Sequence, residues 1–176
     1  MKEKTIGGIC VCGADQQGKS YVCERLHEEL GFDIYHFSRP GEETDYRTEY
    51  VMPILKRSDS GNKVPFIFDR SYVSEIVYGT MFRGLTGITP EIKQFTETVL
   101  NFYGYVLVYL KRENYSWTDR EEMYTKDDNV KVIERYDEIY PTLNLPRMQI
   151  DSFEHGSIDK IIAFYMHHNP GYGKAN

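Results

Sequence analysis

The sequence predicts an α/β fold in which a parallel sheet of about five strands is flanked by helices. Short apolar runs of strand length alternate along the chain with longer segments whose apolar residues recur every three or four positions. The chain has 176 residues, of which 40% are hydrophobic and 27% charged, and this is enough to bury one continuous core. No linker or internal repeat interrupts the pattern, so we expect a single domain over residues 1–176.

The first strand, predicted at residues 6–12, leads into a loop that reads Gly-x-x-x-x-Gly-Lys-Ser over residues 13–20. A helix is predicted directly afterwards at residues 21–30, because apolar side chains recur there every four positions. In this order, glycines allow successive backbone N–H groups to turn inward on a phosphate chain, and the helix start adds its own unpaired N–H groups. The motif therefore predicts a phosphate-binding loop.

The residues of this loop have distinct expected roles. Lys19 is predicted to reach the β and γ phosphates of ATP, and the Ser20 hydroxyl is predicted to bind Mg²⁺. The full set of predicted cofactor-binding residues is Gly13, Ala14, Asp15, Gln16, Gln17, Gly18, Lys19, Ser20 and Tyr21. The alternative is an ordinary strand-turn-helix unit that carries a surface lysine.

The other elements follow in alternation. Further strands are predicted at residues 32–37, 64–68, 105–110 and 148–150. Helices are predicted at residues 44–57, 72–82, 90–103, 130–140 and 157–167. Within them, Gly31 is expected to cap the first helix, Pro53 to kink or divide the second, and Thr89 to cap the helix that Pro90 begins.

Ligands of such a sheet are expected beyond the carboxyl ends of its strands. That rule brings together the loops at residues 13–20, 38–44, 69–72 and 111–122. The net charge of −6 argues against a protein that grips a nucleic-acid backbone, which requires a basic field. A small anionic ligand needs only local positive charge, which is available from Lys19, Arg39, Arg70, Arg112 and Arg120.

Cys10, Cys12 and Cys23 are the three cysteines. We expect them to be buried free thiols of a reducing compartment, because they are odd in number and lie in the first strand and helix. The sequence shows no signal peptide and no apolar run of transmembrane length. A cytoplasmic location without membrane contact is the resulting expectation.

A second motif, Asp69-Arg70-Ser71, follows the third predicted strand. A carboxylate in this place can hold Mg²⁺ or accept a proton from an attacking oxygen, and an adjacent arginine can bridge two phosphates. The alternative is an aspartate that caps the next helix beside a surface arginine.

Three stretches together resemble the signature segments of the thymidylate kinase family, a layout that the related deoxynucleoside kinases share. They are residues 13–20, the turn Ser-Arg-Pro-Gly-Glu-Glu-Thr at residues 38–44, and residues 69–79, which begin Asp-Arg-Ser-Tyr-Val-Ser. The resemblance covers residues 6–79 well and the rest only in layout. It implies the three-layer P-loop NTPase fold of the nucleoside monophosphate kinases, and it implies ATP with Mg²⁺.

Carried over residue by residue, the resemblance implies a role for each side chain of the acceptor site. Asp15 would approach the 3′-hydroxyl of the acceptor sugar, and Arg39 would hold the acceptor phosphate. Asp69 would lie near the metal and Arg70 would contact both phosphates, while Ser74 and Tyr78 would line the pocket for base and sugar.

A lid is implied at about residues 111–129, with Arg120, or else Arg112, as its catalytic arginine. The alternative is that residues 119–122 are a solvated charge run. The family also often dimerises, which implies a possible homodimer.

The leading functional prediction is phosphoryl transfer from ATP to a deoxynucleoside monophosphate, either dTMP or a modified pyrimidine analogue. Ser71 is closer to the deoxynucleoside kinases, whereas Asp69 is closer to the monophosphate kinases. The alternatives are therefore a deoxynucleoside kinase or a kinase of a hydroxymethylated base in DNA. A third alternative is a non-catalytic nucleotide-binding module.

Overall fold

The structure is a computed structural model that describes residues 7–113 and 125–172. Its five strands are β1 (Gly8–Cys12), β2 (Asp33–His36), β3 (Phe66–Asp69), β4 (Tyr105–Leu110) and β5 (Arg147–Ile150). Its helices are α1 (Lys19–Leu30), α2 (Met52–Asp59), α3 (Tyr72–Phe82), α4 (Pro90–Phe102), α5 (Lys126–Ile139) and α6 (Ser157–His168), and a 3₁₀ turn spans Tyr140–Thr142.

All five strands run parallel in one sheet, in the order β2-β3-β1-β4-β5. β1 is central, pairs with both β3 and β4, and is buried along its whole length. Parallel strands that are covered on both faces need apolar side chains in both directions, which is why the three central strands β1, β3 and β4 read as mainly apolar runs. The predicted parallel α/β sheet is confirmed.

The helices form a layer on each face of the sheet. On one face Ile9 and Val106 pack with Leu26 of α1 and Ile161 of α6. On the other face the strands pack with side chains of α2, α3, α4 and α5, which include Ile54, Val77, Leu100 and Val132. The three layers match the fold that the family resemblance implies.

Two helices differ from the predicted boundaries by more than two residues. The segment before α2 forms turns, and α2 itself begins at Met52, so Pro53 occupies the first turn, where its missing N–H costs nothing. α5 begins at Lys126, four residues before the predicted start, because Thr125 and Asp128 form a reciprocal capping box. The polar first turn was not visible as a helix because it carries no apolar periodicity.

The three cysteines are buried free thiols, as predicted. In the part of the chain that the structure describes, no helix is long and apolar enough to span a membrane.

Candidate active site

The glycine loop joins β1 to α1 in the left-handed backbone conformations that its sequence requires. Gly13 has a φ of 151° and Gly18 a φ of 83°, and Gln16 adopts a φ of 60°. A non-glycine residue in this region is strained, and such strain concentrates at ligand-binding loops. Gly18 precedes α1 without any side-chain cap, so the first N–H groups of the helix have no capping side chain and can meet an anion.

Lys19 is buried at the first position of α1. Its Nζ donates to the Ala14 carbonyl oxygen at 2.7 Å and lies 3.7 Å from Asp15 Oδ1, so the side chain reaches back across the loop. Burial lowers the pKa of Lys19, and the nearby Asp15 carboxylate opposes this shift. A phosphate chain in the loop would replace these internal partners with stronger ones.

Asp69 and Arg70 lie at the carboxyl end of β3 and face the same loop. Arg70 has a φ of 73°, its backbone N–H donates to the Val11 carbonyl, and its Nη2 donates to Asp15 Oδ1 at 3.4 Å. Asp69 Oδ2 lies 2.9 Å from His36 Nδ1. Asp69 Oδ1 is buried and has no hydrogen-bond partner among the residues that the structure describes.

A magnesium ion fits this arrangement. Asp69 provides a carboxylate oxygen that lacks a partner, and Ser20 is exposed at the end of the glycine loop. Among the described residues, no three acidic, histidine or cysteine side chains form a complete metal cage. Mg²⁺ in phosphate sites characteristically takes one or two protein oxygens together with phosphate and water, so these donors suit it.

A cavity of about 290 Å³ opens beside α3, and we call it the α3 cavity. Four predicted acceptor residues line it, namely Arg39, Arg70, Ser74 and Tyr78. Its other lining residues are His36, Phe37, Ser38, Pro40, Tyr50, Ser71, Glu75, Phe82 and Arg83. Asp15 is not part of this lining, and it meets the cavity only through its contact with Arg70.

A second feature lies on the other side of the glycine loop, where Phe153 projects from the turn between β5 and α6 and is 61% exposed. Its ring stacks on Tyr21 at a centroid distance of 6.4 Å, and the Arg112 guanidinium lies 4.0 Å from its centroid. We call Tyr21, Arg112 and Phe153 the Phe153 platform. A neighbouring cavity of about 520 Å³ is lined by Tyr21, Arg25 and residues 152–158.

Neither the family models nor the curated proteins that were compared give a match to the sequence. Solved structures do match the fold. The YorR protein of Bacillus subtilis, solved in complex with phosphorylated GDP, is 23% identical with a TM-score of 0.67, over 91% of this chain and 95% of that chain.

Two kinases also match. Deoxyadenosine kinase of M. mycoides with bound dCTP is 16% identical with a TM-score of 0.52, over 91% of this chain and 98% of that one. Thymidylate kinase of Ehrlichia chaffeensis is 19% identical with a TM-score of 0.51, over 91% of this chain and 95% of that one. The chain has the fold of the P-loop kinases.

The structure describes residues 111–113 and 125–129 of the predicted lid. Arg120 lies outside the described residues, and so does the rest of the segment 114–124. Arg112 is described, and its side chain lies on Phe153. At the other end of the segment, Asn129 Nδ2 donates to the Asp15 carbonyl at 3.2 Å, so the first turn of α5 contacts the glycine loop.

Sequence reasoning missed an ion pair in the α3 cavity. Glu75 is buried on α3 and accepts a hydrogen bond from Arg83, which follows the end of that helix. A Cβ on Gly79 would lie 2.8 Å from Glu75 Oε1 and 2.9 Å from Arg83 Nη2, so glycine leaves room for the pair. Helical spacing was the available signal, because Glu75 stands three positions before Tyr78 and therefore on the same side of α3.

Proposed function

We propose that this chain is a nucleotide kinase that transfers the γ-phosphoryl group of ATP to a deoxynucleoside monophosphate, with dTMP or a modified pyrimidine nucleotide as the acceptor. The observation that carries the proposal is the position of Arg70. Its guanidinium contacts Asp15 of the glycine loop and also lines the α3 cavity. One cation therefore borders the expected places of both the donor phosphates and the acceptor.

The acceptor end of the site suits a monophosphate. Arg39 and Arg70 both line the α3 cavity, and Arg39 is exposed to an incoming ligand. Guanidinium groups bind phosphate through charge-assisted, often bidentate hydrogen bonds. An unphosphorylated nucleoside would leave Arg39 without such a partner, which favours the monophosphate over the nucleoside.

The remainder of the α3 cavity suits a base and a sugar. Phe37, Tyr50, Tyr78 and Phe82 give it aromatic walls, against which a planar base can stack. The Glu75–Arg83 pair adds a carboxylate acceptor and guanidinium donors for a polar base edge. Both properties favour a nucleotide over a simple phosphate ester.

At the donor end, the glycine loop and Lys19 would hold the triphosphate, while the Phe153 platform offers an exposed aromatic face for the donor base. Ser20 and Asp69 would hold Mg²⁺, which neutralises charge on the phosphates when it is bound. Asp15 would approach the 3′-hydroxyl of the acceptor sugar. Lys19, Arg70 and a lid arginine would spread the negative charge that develops during transfer, so positioning and electrostatics would supply most of the acceleration.

The experiment that tests the proposal is an ADP-release assay over a panel of acceptors, with ATP and Mg²⁺ supplied throughout. We expect turnover with deoxynucleoside monophosphates, dTMP or a modified pyrimidine nucleotide foremost. Preference for nucleosides or oligonucleotides would instead favour the two alternative kinase activities. ATP binding without acceptor-dependent ADP release would leave only the non-catalytic module.

The same assay on the Arg70→Ala variant tests whether the activity depends on this site. We expect kcat to fall by about 10²–10³-fold, the typical cost of one lost transition-state donor. Arg135→Ala is a suitable control, because Arg135 is a half-buried residue of α5 that pairs with Glu138 of its own helix and lines neither cavity. Equal activity of the wild type and the Arg70 variant would contradict the role proposed for Arg70.

A further inference from the structure

Gln17 connects three loops of the P-loop kinase fold. Although it belongs to the glycine loop, it is only 1% exposed. Its Oε1 accepts from the backbone N–H of Arg112 at 2.8 Å, and its own carbonyl oxygen accepts from Ser152 Oγ at 2.7 Å. These partners lie 95 and 135 residues away in sequence, at the ends of β4 and β5 respectively.

The side chain of Gln17 is held at an energetic cost. Its Nε2 is buried and has no hydrogen-bond partner among the described residues, and a buried donor in this state is destabilising. The amide cannot be turned to relieve this, because the Arg112 N–H requires the oxygen at its present place. An apolar side chain would remove this unpaired donor but would leave the Arg112 N–H without its acceptor. Buried donors without a partner are expected at functional sites rather than in ordinary cores.

The contacts of Gln17 form a closed ring that includes the Phe153 platform. The Gln17 side chain accepts a hydrogen bond from the backbone of Arg112, and the Arg112 side chain lies over Phe153. Ser152, the neighbour of Phe153, donates a hydrogen bond to the Gln17 carbonyl oxygen. The fit is tight, since a Cβ on Gly18 would lie 2.7 Å from Ser152 Oγ and 3.3 Å from the Phe153 ring. The distance between the platform and the phosphate-binding loop is therefore fixed by Gln17.

We propose that Gln17 is a positioning residue for the base of the donor nucleotide. It sets the Phe153 platform relative to the glycine loop, so that a phosphate chain attached to a base is bound in preference to a bare phosphate chain. The proposal rests on the proposed function only in taking a nucleoside triphosphate as the donor. The side chain of Gln17 bonds to Arg112, so its contribution reaches the ligand through Arg112 and Phe153.

The test compares two ligands, Mg·ATP and Mg·tripolyphosphate, by calorimetry in the absence of acceptor. For Gln17→Met we expect the Kd of ATP to rise about tenfold, the equivalent of one lost hydrogen bond. The Kd of tripolyphosphate should change less than about twofold, because the phosphate-binding backbone is kept. A merely structural defect would weaken both ligands alike.

Two further variants keep the test decisive. Phe153→Ala should also weaken ATP selectively, and adding Gln17→Met to it should cause no further loss, because both changes act through the same platform. Ser152→Ala removes the hydrogen bond to the Gln17 carbonyl oxygen and should produce the same selective loss of ATP affinity. It replaces Gln17→Met in the test if that variant does not fold. Gln149→Met, an exposed glutamine of β5, is the matched control and should leave both affinities unchanged.

Equal loss of both ligands in Gln17→Met, or no loss of either, would overturn the inference. Additive losses in the double variant would overturn it as well. A wild-type protein that binds tripolyphosphate as tightly as ATP would also contradict it. Because calorimetry without acceptor involves no transfer, absence of kinase activity would be detected separately in the ADP-release assay.

Discussion

Lys19, Arg39 and Arg70 are cations that, under the proposed function, divide the site into a donor end and an acceptor end. Lys19 lies in the glycine loop, Arg39 lines the α3 cavity, and Arg70 contacts Asp15 of the loop and also lines that cavity. Substitutions at these positions should therefore affect different kinetic constants.

Arg39→Ala should act on the acceptor alone. We expect the KM of the monophosphate acceptor to rise about 10–100-fold, because hydrogen bonds to a charged group are worth about 1.5–3 kcal/mol. The KM of ATP should stay unchanged. Steady-state kinetics with both substrates varied measures these two KM values. Arg47→Ala is the control, because Arg47 is an exposed residue of the turns that precede α2. A rise in the KM of ATP equal to that of the acceptor would contradict the assignment.

Lys19 should make ATP binding sensitive to alkaline pH. Burial lowers the pKa of Lys19 from its ordinary value of 10.5, so between the lowered pKa and 10.5 the free protein carries a neutral lysine. ATP favours the charged form and must then bind together with a proton. We expect the Kd of ATP to rise about tenfold per pH unit above the lowered pKa.

Titration calorimetry from pH 7 to pH 10 tests this dependence. In Lys19→Arg the guanidinium stays charged over this range, so its ATP affinity should show no such rise. Circular dichroism at each pH verifies that the fold persists. A wild-type Kd that is flat across the range would refute the pKa argument.

At the scale of single elements, α3 carries several residues of the proposed acceptor site. Ser71 caps it by accepting from the Val73 N–H, which fixes the helix start directly after Arg70. Ser74, Glu75, Tyr78 and Phe82 then line the α3 cavity from successive turns.

Gly79→Ala should disturb this helix locally. Alanine ordinarily stabilises a helix interior by about 0.5–1 kcal/mol relative to glycine. Here the new Cβ would crowd Glu75, Arg83 and the Leu85 carbonyl oxygen at 2.8, 2.9 and 3.0 Å. We therefore expect a less stable protein and a higher KM for the acceptor, with the KM of ATP unchanged.

Thermal unfolding and steady-state kinetics check this prediction. Gln94→Ala is the control, because Gln94 is an exposed residue of α4 that does not line the α3 cavity. A Gly79→Ala protein that is more stable than the wild type and has the same acceptor KM would show that the Glu75–Arg83 pair has no role in the acceptor site.

Elements with strong local signals were predictable to the residue. β4 is a continuous apolar run after a glycine, and α3 has apolar periodicity after a serine cap, so both were predicted with the boundaries that the structure shows. The start of α5 was missed because its capping box is built from polar residues. The boundaries of an element were therefore predictable where its apolar pattern extends to its first and last residues.

Contacts between distant residues could not be predicted in the same way. The glycine loop was recognised from its motif, but its attachment to Ser152 joins residues 135 apart and leaves no periodic signal. The Glu75–Arg83 pair likewise depends on the space that Gly79 leaves. Such features follow from how the layers pack, which only the folded molecule shows.

At the scale of the whole molecule, the sheet order places β1 between β3 and β4. The carboxyl ends of these neighbouring strands bring the glycine loop, Asp69–Arg70 and Arg112 to one edge. The Phe153 platform lies at the β4 and β5 side of that edge and the α3 cavity at the β2 and β3 side, where Arg70 also contacts Asp15 of the glycine loop. Homodimer formation stays a prediction from the family resemblance, which sedimentation velocity can test.

The central claim is that the glycine loop and the α3 cavity form one continuous cleft for the transferred phosphoryl group. The most direct measurement is the affinity of adenosine and thymidine joined through their 5′ positions by five phosphates, compared with ATP and dTMP alone. If one cleft joins both ends, the linked compound should bind at least about 100-fold more tightly than either nucleotide, because the second contact becomes intramolecular. It should also exclude both nucleotides from the protein. An affinity no greater than that of ATP, with dTMP still able to bind, would contradict the claim.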